Sequence, residues 1–160
     1  MRYTSELSKE GVIFRDRPDS VPYNYRISYK VAVICLIMSE TCGKRGCSLT
    51  KMHILSGAIM EQAIFDKVVS LISGKKEDDL YIRFDPAVNR AIEYARYDEI
   101  IYQQANGLYR LSDKGKQLSK LICKDQQLMV KEKEVVHRIS VDLSEEIIQR
   151  ISKNWRKTDD

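Results

Sequence analysis

"NGLYRLSDKGKQLSKLI", Asn106 to Ile122, holds a turn, a strand and a helix start in one short run. Asn106-Gly107 is the dipeptide favoured where two antiparallel strands reverse, because both central positions of such a turn take positive φ. "GLYRL" after it and "DEIIYQ" before "QAN" supply the two strands. Ser112 is a helix N-cap, and beyond it Leu118, Leu121 and Ile122 are expected on the inner face of a helix. The segment therefore predicts a β-hairpin feeding straight into a helix.

Upstream lies "DPAVNRAIEYARY". Asp85 is a natural N-cap, Pro86 suits the first helical position, and Val88, Ala91, Ile92 and Ala95 make one apolar stripe. A helix is expected from Pro86 to Tyr97. Before it, "DDLYIRF" alternates as a strand would. "EQAIFDKVVSLIS" places Met60, Ile64, Val68, Leu71 and Ile72 on one helical face, with Gly74 as its stop. "LTKMHILSGAIM" is a further helix that Ser48 or Thr50 can cap, separated by "CGKRGC" from a helix over Ser28–Thr41. That last helix is apolar nearly all round and should lie at the centre, covered on several sides.

Helices, then a helix, a hairpin and a following helix describe a winged helix-turn-helix. The hairpin is the wing, and Pro86–Tyr97 stands in the place of the recognition helix. A helix-hairpin-helix inside some other α+β domain is the competing reading. Pro18 and Pro22, set among Tyr3, Tyr23, Tyr25, Arg15 and Arg17, disfavour helix and mark residues 1–27 as an extended arm, with a short strand at "GVIF". The expected fold is mainly α with a small β-hairpin: an N-terminal arm (1–27), a winged-helix core (28–124) and a C-terminal helical extension (125–160).

The 160 residues suit one domain; 43% are apolar, enough for a core, and 31% are charged. Residues 1–25 contain no apolar run, and the longest run anywhere, "VAVICLIM" (31–38), is far short of the roughly 20 residues a membrane span needs. A cytoplasmic chain with reduced thiols is the expectation. Cys35 and Cys123 fall in apolar helices and read as small core residues. Cys42 and Cys47 share a glycine-containing loop. Zinc would need two more ligands nearby, and neither His53 nor Cys35 completes a familiar spacing. His53 and His137 sit in no nucleophile motif, and no phosphate loop, HExxH or GxSxG occurs. The sequence therefore points to no enzyme, metal or cofactor.

A winged helix that reads DNA needs donors on the recognition helix and cations on the wing. Residues 85–99 carry Arg90 and Arg96 against Asp85, Glu93, Asp98 and Glu99, a net charge of −2. The wing tip, Gln103 to Gly107, has no positive charge. Such a surface meets phosphates badly, although the chain as a whole is +4. A protein-facing surface is the better reading. Lys44, Arg45, Arg90 and Arg96 remain the candidates for contact with a nucleic-acid backbone. In the extension, Ile147, Ile151 and Trp155 recur at steps of four with Ile148 beside them, after Ser144 as cap. This stripe either folds back on the core or is offered to a partner with Trp155 as anchor; the second is the expectation.

The arm with "RPDSVPYNYRIS", the apolar helix, "DPAVNRAIEYARYDEIIYQ" and "GLYRLSDKGKQLSKLI" together resemble the small middle component of three-component ABC ATPase systems, among them the Lamassu-type bacterial defence operons. The resemblance spans most of residues 15–124 and lies in length, element order and texture. It implies a non-catalytic subunit that bridges a large coiled-coil ATPase of the structural-maintenance-of-chromosomes type and an effector such as a nuclease, acting against phage or plasmid DNA. DNA would then be met through the complex. The alternative is a homodimeric transcriptional regulator whose C-terminal helices dimerise and whose winged helix binds an operator.

Overall fold

The most apolar stretch of the chain is its centre. In a computed structural model, which describes residues 3–8, 11–16, 21–74, 83–140 and 142–157 and side chains within 21–74, 83–139 and 142–152, helix α1 runs Ile27–Thr41. Every side chain from Val33 to Met38 is buried. An apolar helix can be satisfied only by cover on all sides. Here α2 (Leu49–Met60), α4 (Pro86–Tyr97), α5 (Asp113–Lys124) and α6 (Val130–Ser140) provide it.

The chain is mainly helical, and the described residues include two separate two-stranded antiparallel sheets. Strands β1 (Tyr3–Ser8) and β2 (Gly11–Asp16) form the first, so the strand expected at "GVIF" is present. After α2, Glu61 takes an extended conformation and α3 (Gln62–Ile72) packs back on α2. Phe65 and Val68 are its buried residues. Ser48 accepts from the Lys51 amide and caps α2, and Asp85 accepts from the Ala87 amide with Pro86 at the first helical position of α4. Strands β3 (Ile101–Gln103) and β4 (Tyr109–Leu111) pair in the register Ile101↔Leu111, Tyr102↔Arg110, Gln103↔Tyr109. Gly107, at φ +82°, makes the reversal, and the Asn106 side chain accepts from the Leu108 amide.

Two features outside the sequence reading lock the hairpin in place. Cys47, in the loop between α1 and α2, exchanges both backbone hydrogen bonds with Tyr109, each 2.8 Å, so β4 has a neighbour on its other side too. Gly115, in the first turn of α5, lies so close to the end of α4 that a Cβ there would sit 2.1 Å from the Ile100 carbonyl oxygen.

The C-terminal stripe is core. Ile148 and Ile151 are 2% and 4% exposed, Ile147 packs against the same cluster, and Val136, Ile139 and Leu143 join it. Helix α7 (Glu145–Lys157) lies against α2, and the Glu145 carboxylate accepts from the Ser48 amide at 3.1 Å. This corrects the expectation that Ile148 and Ile151 wait for a partner: their apolar area is removed from water within the chain, with Ile147 half-buried beside them. The Trp155 side chain lies outside the described residues. Residues after 124 thus complete the same core.

Two smaller expectations also change. Leu121, assigned to the inner face of α5, is 66% exposed, and Ser119 and Gly115 take the inner positions instead. Cys123, read as a core residue, is exposed. The strand expected at 78–84 falls largely outside the described residues. Among the described residues, no helix is long and apolar enough to cross a membrane.

Candidate functional site

Helix α4 is held at both ends, and that makes its outward face a rigid presentation surface. At its N-terminus, Lys30 of α1 reaches the Asp85 carboxylate at 3.0 Å; the lysine side chain is 3% exposed and the aspartate 38%. His53 of α2, itself buried, accepts from the Asp85 amide on Nδ1 (3.3 Å) and lies 2.8 Å from the Asn89 side-chain oxygen on Nε2. Both contacts are satisfied by the neutral ring carrying its proton on Nε2. The Phe84 ring packs edge-on against His53 with centroids 4.4 Å apart. One polar network thus joins α1, α2 and α4.

The electrostatics follow from this geometry. Burial pushes the His53 pKa below its ordinary value, and the Asn89 bond and the Asp85 charge only partly oppose it. For Asp85, burial works upwards but is outweighed by the hydrogen bond from Lys30, the Ala87 amide and the lysine charge, so its carboxyl stays below the usual range. A buried ammonium without its carboxylate would be costly. The pair therefore specifies where α4 begins.

At the other end, Glu99 turns the chain with φ +56° and the Ile100 amide donates to the Ala95 carbonyl at 2.8 Å. The Ser112 hydroxyl contacts the carbonyls of Glu99 and Ile100 at 2.6 and 3.0 Å, while its oxygen accepts from the Gly115 amide. Lys114 donates to the Asp98 carbonyl at 2.8 Å and pairs with its carboxylate at 3.0 Å, a cation at the negative end of a helix. The N-terminus of α5 thereby closes the C-terminus of α4.

Two rows face outward from α4. Arg90, Tyr94 and Tyr97 follow one another at helical spacing, as do Asn89, Glu93 and Arg96. Tyr97 is 90% exposed and Tyr94 56%; Tyr102 on β3 is also exposed. The candidates Arg90 and Arg96 do lie in the open on this helix, but in different rows and with Glu93 exposed beside them. Lys44 and Arg45 are exposed in the loop after α1. The Arg45 carbonyl accepts from the Gln104 side chain at 3.0 Å, and Lys44 and Arg45 line a cavity of about 290 Å³ together with Glu145 and Glu146. The four basic candidates thus sit on two elements, a loop and a helix, each with carboxylates beside them.

Tyrosines 94, 97 and 102 escaped the sequence reading, which asked only about charge. The helical spacing of Tyr94 and Tyr97 outside the Val88–Ala95 stripe was the available signal for those two. Lys30 gave a fainter one, a single cation in an otherwise apolar helix. Among the described residues, no group of three or more His, Cys, Asp or Glu is arranged to hold a metal ion. No family model, curated protein or solved structure matches the chain.

Proposed function

We propose that this chain is a winged-helix, non-catalytic adaptor subunit of a larger complex, and that α4 with its hairpin is the surface it presents to another protein. The winged-helix reading is supported by the order α1, the Cys47 pairing, α2, α3, α4, β3, β4, and by the seating of the hairpin between that pairing and α5. The observation that carries the functional reading is the α4 face itself. It offers Tyr94 and Tyr97 in one row with Arg90, on a segment whose net charge is −2, beside an uncharged hairpin tip. Tyrosine and arginine are the residues that dominate protein interfaces, whereas a phosphate backbone calls for a cationic surface.

The partner proposed is a large coiled-coil ATPase of the structural-maintenance-of-chromosomes type, with an effector such as a nuclease as third component, in cytoplasmic bacterial defence of the Lamassu type. This partner set rests on the resemblance of residues 15–124. The regulator alternative needs free C-terminal helices for dimerisation. Val136 and Ile139 of α6 and Ile148 and Ile151 of α7 are buried within the chain, which weighs against it.

The experiment is affinity capture of the tagged full chain from its native host, in parallel with a band shift on the DNA upstream of its operon. Recovery of a large coiled-coil ATPase, lost on Tyr97→Ala, is expected. DNA binding should be weak, sequence-blind and salt-sensitive. Tight sequence-selective DNA binding by the chain alone at physiological salt would overturn the adaptor reading in favour of the regulator.

A further inference from the structure

The loop that joins α1 to α2 opens on Cys42 and carries Cys47 next to the Ser48 cap, and the proposed partner docking uses neither thiol. We propose that Cys42 and Cys47 are an oxidisable dithiol that undergoes exchange with small anionic disulfides of the oxidised-glutathione class.

The geometry brings the two thiols together. Gly43 and Gly46 adopt φ of +32° and +102°, and the Gly46 amide donates to the Cys42 carbonyl at 3.1 Å, so the loop folds back on its own start. Cys42 and Cys47 interact closely enough for each thiol to shift the other's proton affinity. Both are reduced. The loop cannot drift. A Cβ at Gly46 would come 2.6 Å from the Gln104 amide nitrogen and 2.8 Å from the Tyr109 carbonyl, and Cys47 is itself paired to Tyr109. Cys42 and Cys47 are therefore presented to each other by a loop sealed against the hairpin.

Access is one-sided, and it assigns the roles. Cys42 lines a cavity of about 350 Å³ between α1, β4 and α5, with Met38, Tyr109 and Leu111 on its wall and Arg110, Lys116 and Lys120 also lining it. Arg110, Lys116 and Lys120 outnumber the one carboxylate on the wall, Glu40, and this balance favours a small ligand that carries carboxylates. Cys47 is fully buried and does not line it. Cys42 therefore attacks and Cys47 resolves. The charges agree with this order. The hydrogen bond from Cys47 lowers the Cys42 thiol against the effect of burial, with help from Thr41 and the Lys51 ammonium, whereas the same bond and burial push Cys47 up. The Lys51 ammonium is held beside the pair by its 3.0 Å bond to the Thr41 carbonyl.

The reaction balances as follows. The Cys42 thiolate attacks one sulfur of the small disulfide, forming a mixed disulfide and expelling one small thiolate. Cys47, giving its proton to a small thiolate, attacks the Cys42 sulfur and expels the second. Two protein thiols are oxidised by two electrons and one small disulfide is reduced to two thiols. The new bond lies at the residue that braces β4, so it is felt at the base of the hairpin.

The test uses the full chain in mixtures of oxidised and reduced glutathione, quenched by alkylation and read by intact mass and non-reducing tryptic mapping. Trypsin cuts after Lys44 and Arg45, between the two cysteines, so the proposed bond joins the peptides Val31–Lys44 and Gly46–Lys51. Cys35 shares the first peptide, and the variant Cys35→Ala removes that ambiguity. The expected result is loss of two of the four alkylatable thiols with an unchanged circular dichroism spectrum. Cys47→Ser should stop at a single glutathione adduct on Cys42. Lys120→Glu should slow exchange with oxidised glutathione several-fold while leaving exchange with neutral hydroxyethyl disulfide unchanged. The proposal is overturned if Cys42 and Cys47 stay alkylatable in the folded chain, or if exposed Cys123, which lines the same cavity, alone carries the adduct.

Discussion

Gly57 in α2 and Gly115 in α5 should respond in opposite ways to the same change, Gly→Ala. Inside a helix, replacing glycine by alanine favours folding by about 1 kcal/mol through backbone entropy. At Gly57 the new methyl would meet only the Ile64 side chain, at 3.3 and 3.6 Å, and a half-buried isoleucine can yield by a few tenths of an ångström. At Gly115 the methyl would lie 2.1 Å from the Ile100 carbonyl oxygen and 3.0 Å from a Leu111 methyl. That carbonyl is held by the Ser112 amide and is contacted by the Ser112 hydroxyl, each at 3.0 Å, so it cannot step aside alone. Restoring an ordinary contact means moving α5 off the hairpin by about 1 Å. Overpacking of this kind costs about 1–3 kcal/mol, and weakening two hydrogen bonds adds about 1 kcal/mol each. After the propensity gain, Gly115→Ala should lose about 2–4 kcal/mol. At about 2–4 °C per kcal/mol for a chain of this size, the melting temperature should fall by about 4–16 °C. Gly57→Ala should stay within about 2 °C of the parent or rise, since its propensity gain is offset only by a soft contact. Thermal unfolding followed by circular dichroism measures both. A Gly115→Ala chain that melts with or above the parent would refute the close seating of α5 on the end of α4.

Tyr97→Ala should leave the melting temperature unchanged, because the side chain is 90% exposed, yet cost about 2 kcal/mol or more in partner retention; equal retention of the variant in the captured complex would count against the α4 face. Ile148→Ala removes a side chain only 2% exposed and should destabilise the isolated chain by about 2–4 kcal/mol, read by urea unfolding. A loss of partner binding without loss of stability would instead return α7 to the role of a docking stripe. For pH, His53 has a folded pKa below the ordinary value of about 6.5, so its contribution to stability is in place above that value. It is lost as the pH falls below that, where the unfolded chain takes up a proton that the folded one resists. Asp85, also depressed, contributes above about 4 and is lost only at lower pH. Urea unfolding from pH 7 to 5 should show a decline that His53→Asn flattens; an equally steep decline in that variant would assign it to another group.

Much of the framework was legible because it depends on neighbours along the chain. Ser48, Asp85 and Ser112 cap the helices they were expected to cap, since a capping side chain bonds an amide two or three residues on. The hairpin reverses where Asn106-Gly107 was expected to turn it, but only Gly107 takes positive φ, while the Asn106 side chain accepts from the Leu108 amide. The central place of α1 could be read from its composition, as no surface position suits a helix apolar all round.

What the tertiary structure alone decided were the questions of which face meets what. Leu121 follows the helical pattern of a core face yet points outward, because the approach of α5 to Ile100 turns Gly115 and Ser119 inward instead. The α7 stripe had two possible covers, the chain or another protein, and helical periodicity is identical for both; only the position of α2, tied to α7 through Ser48 and Glu145, settles that Ile148 and Ile151 are core. Lys30, His53, Asp85 and Asn89 are spread over three helices, and the sequence holds no record of their meeting. Their network, like the contact between Cys42 and Cys47, is a product of packing, because hydrogen bonds and ion pairs act over a few ångströms in space whatever the separation along the chain.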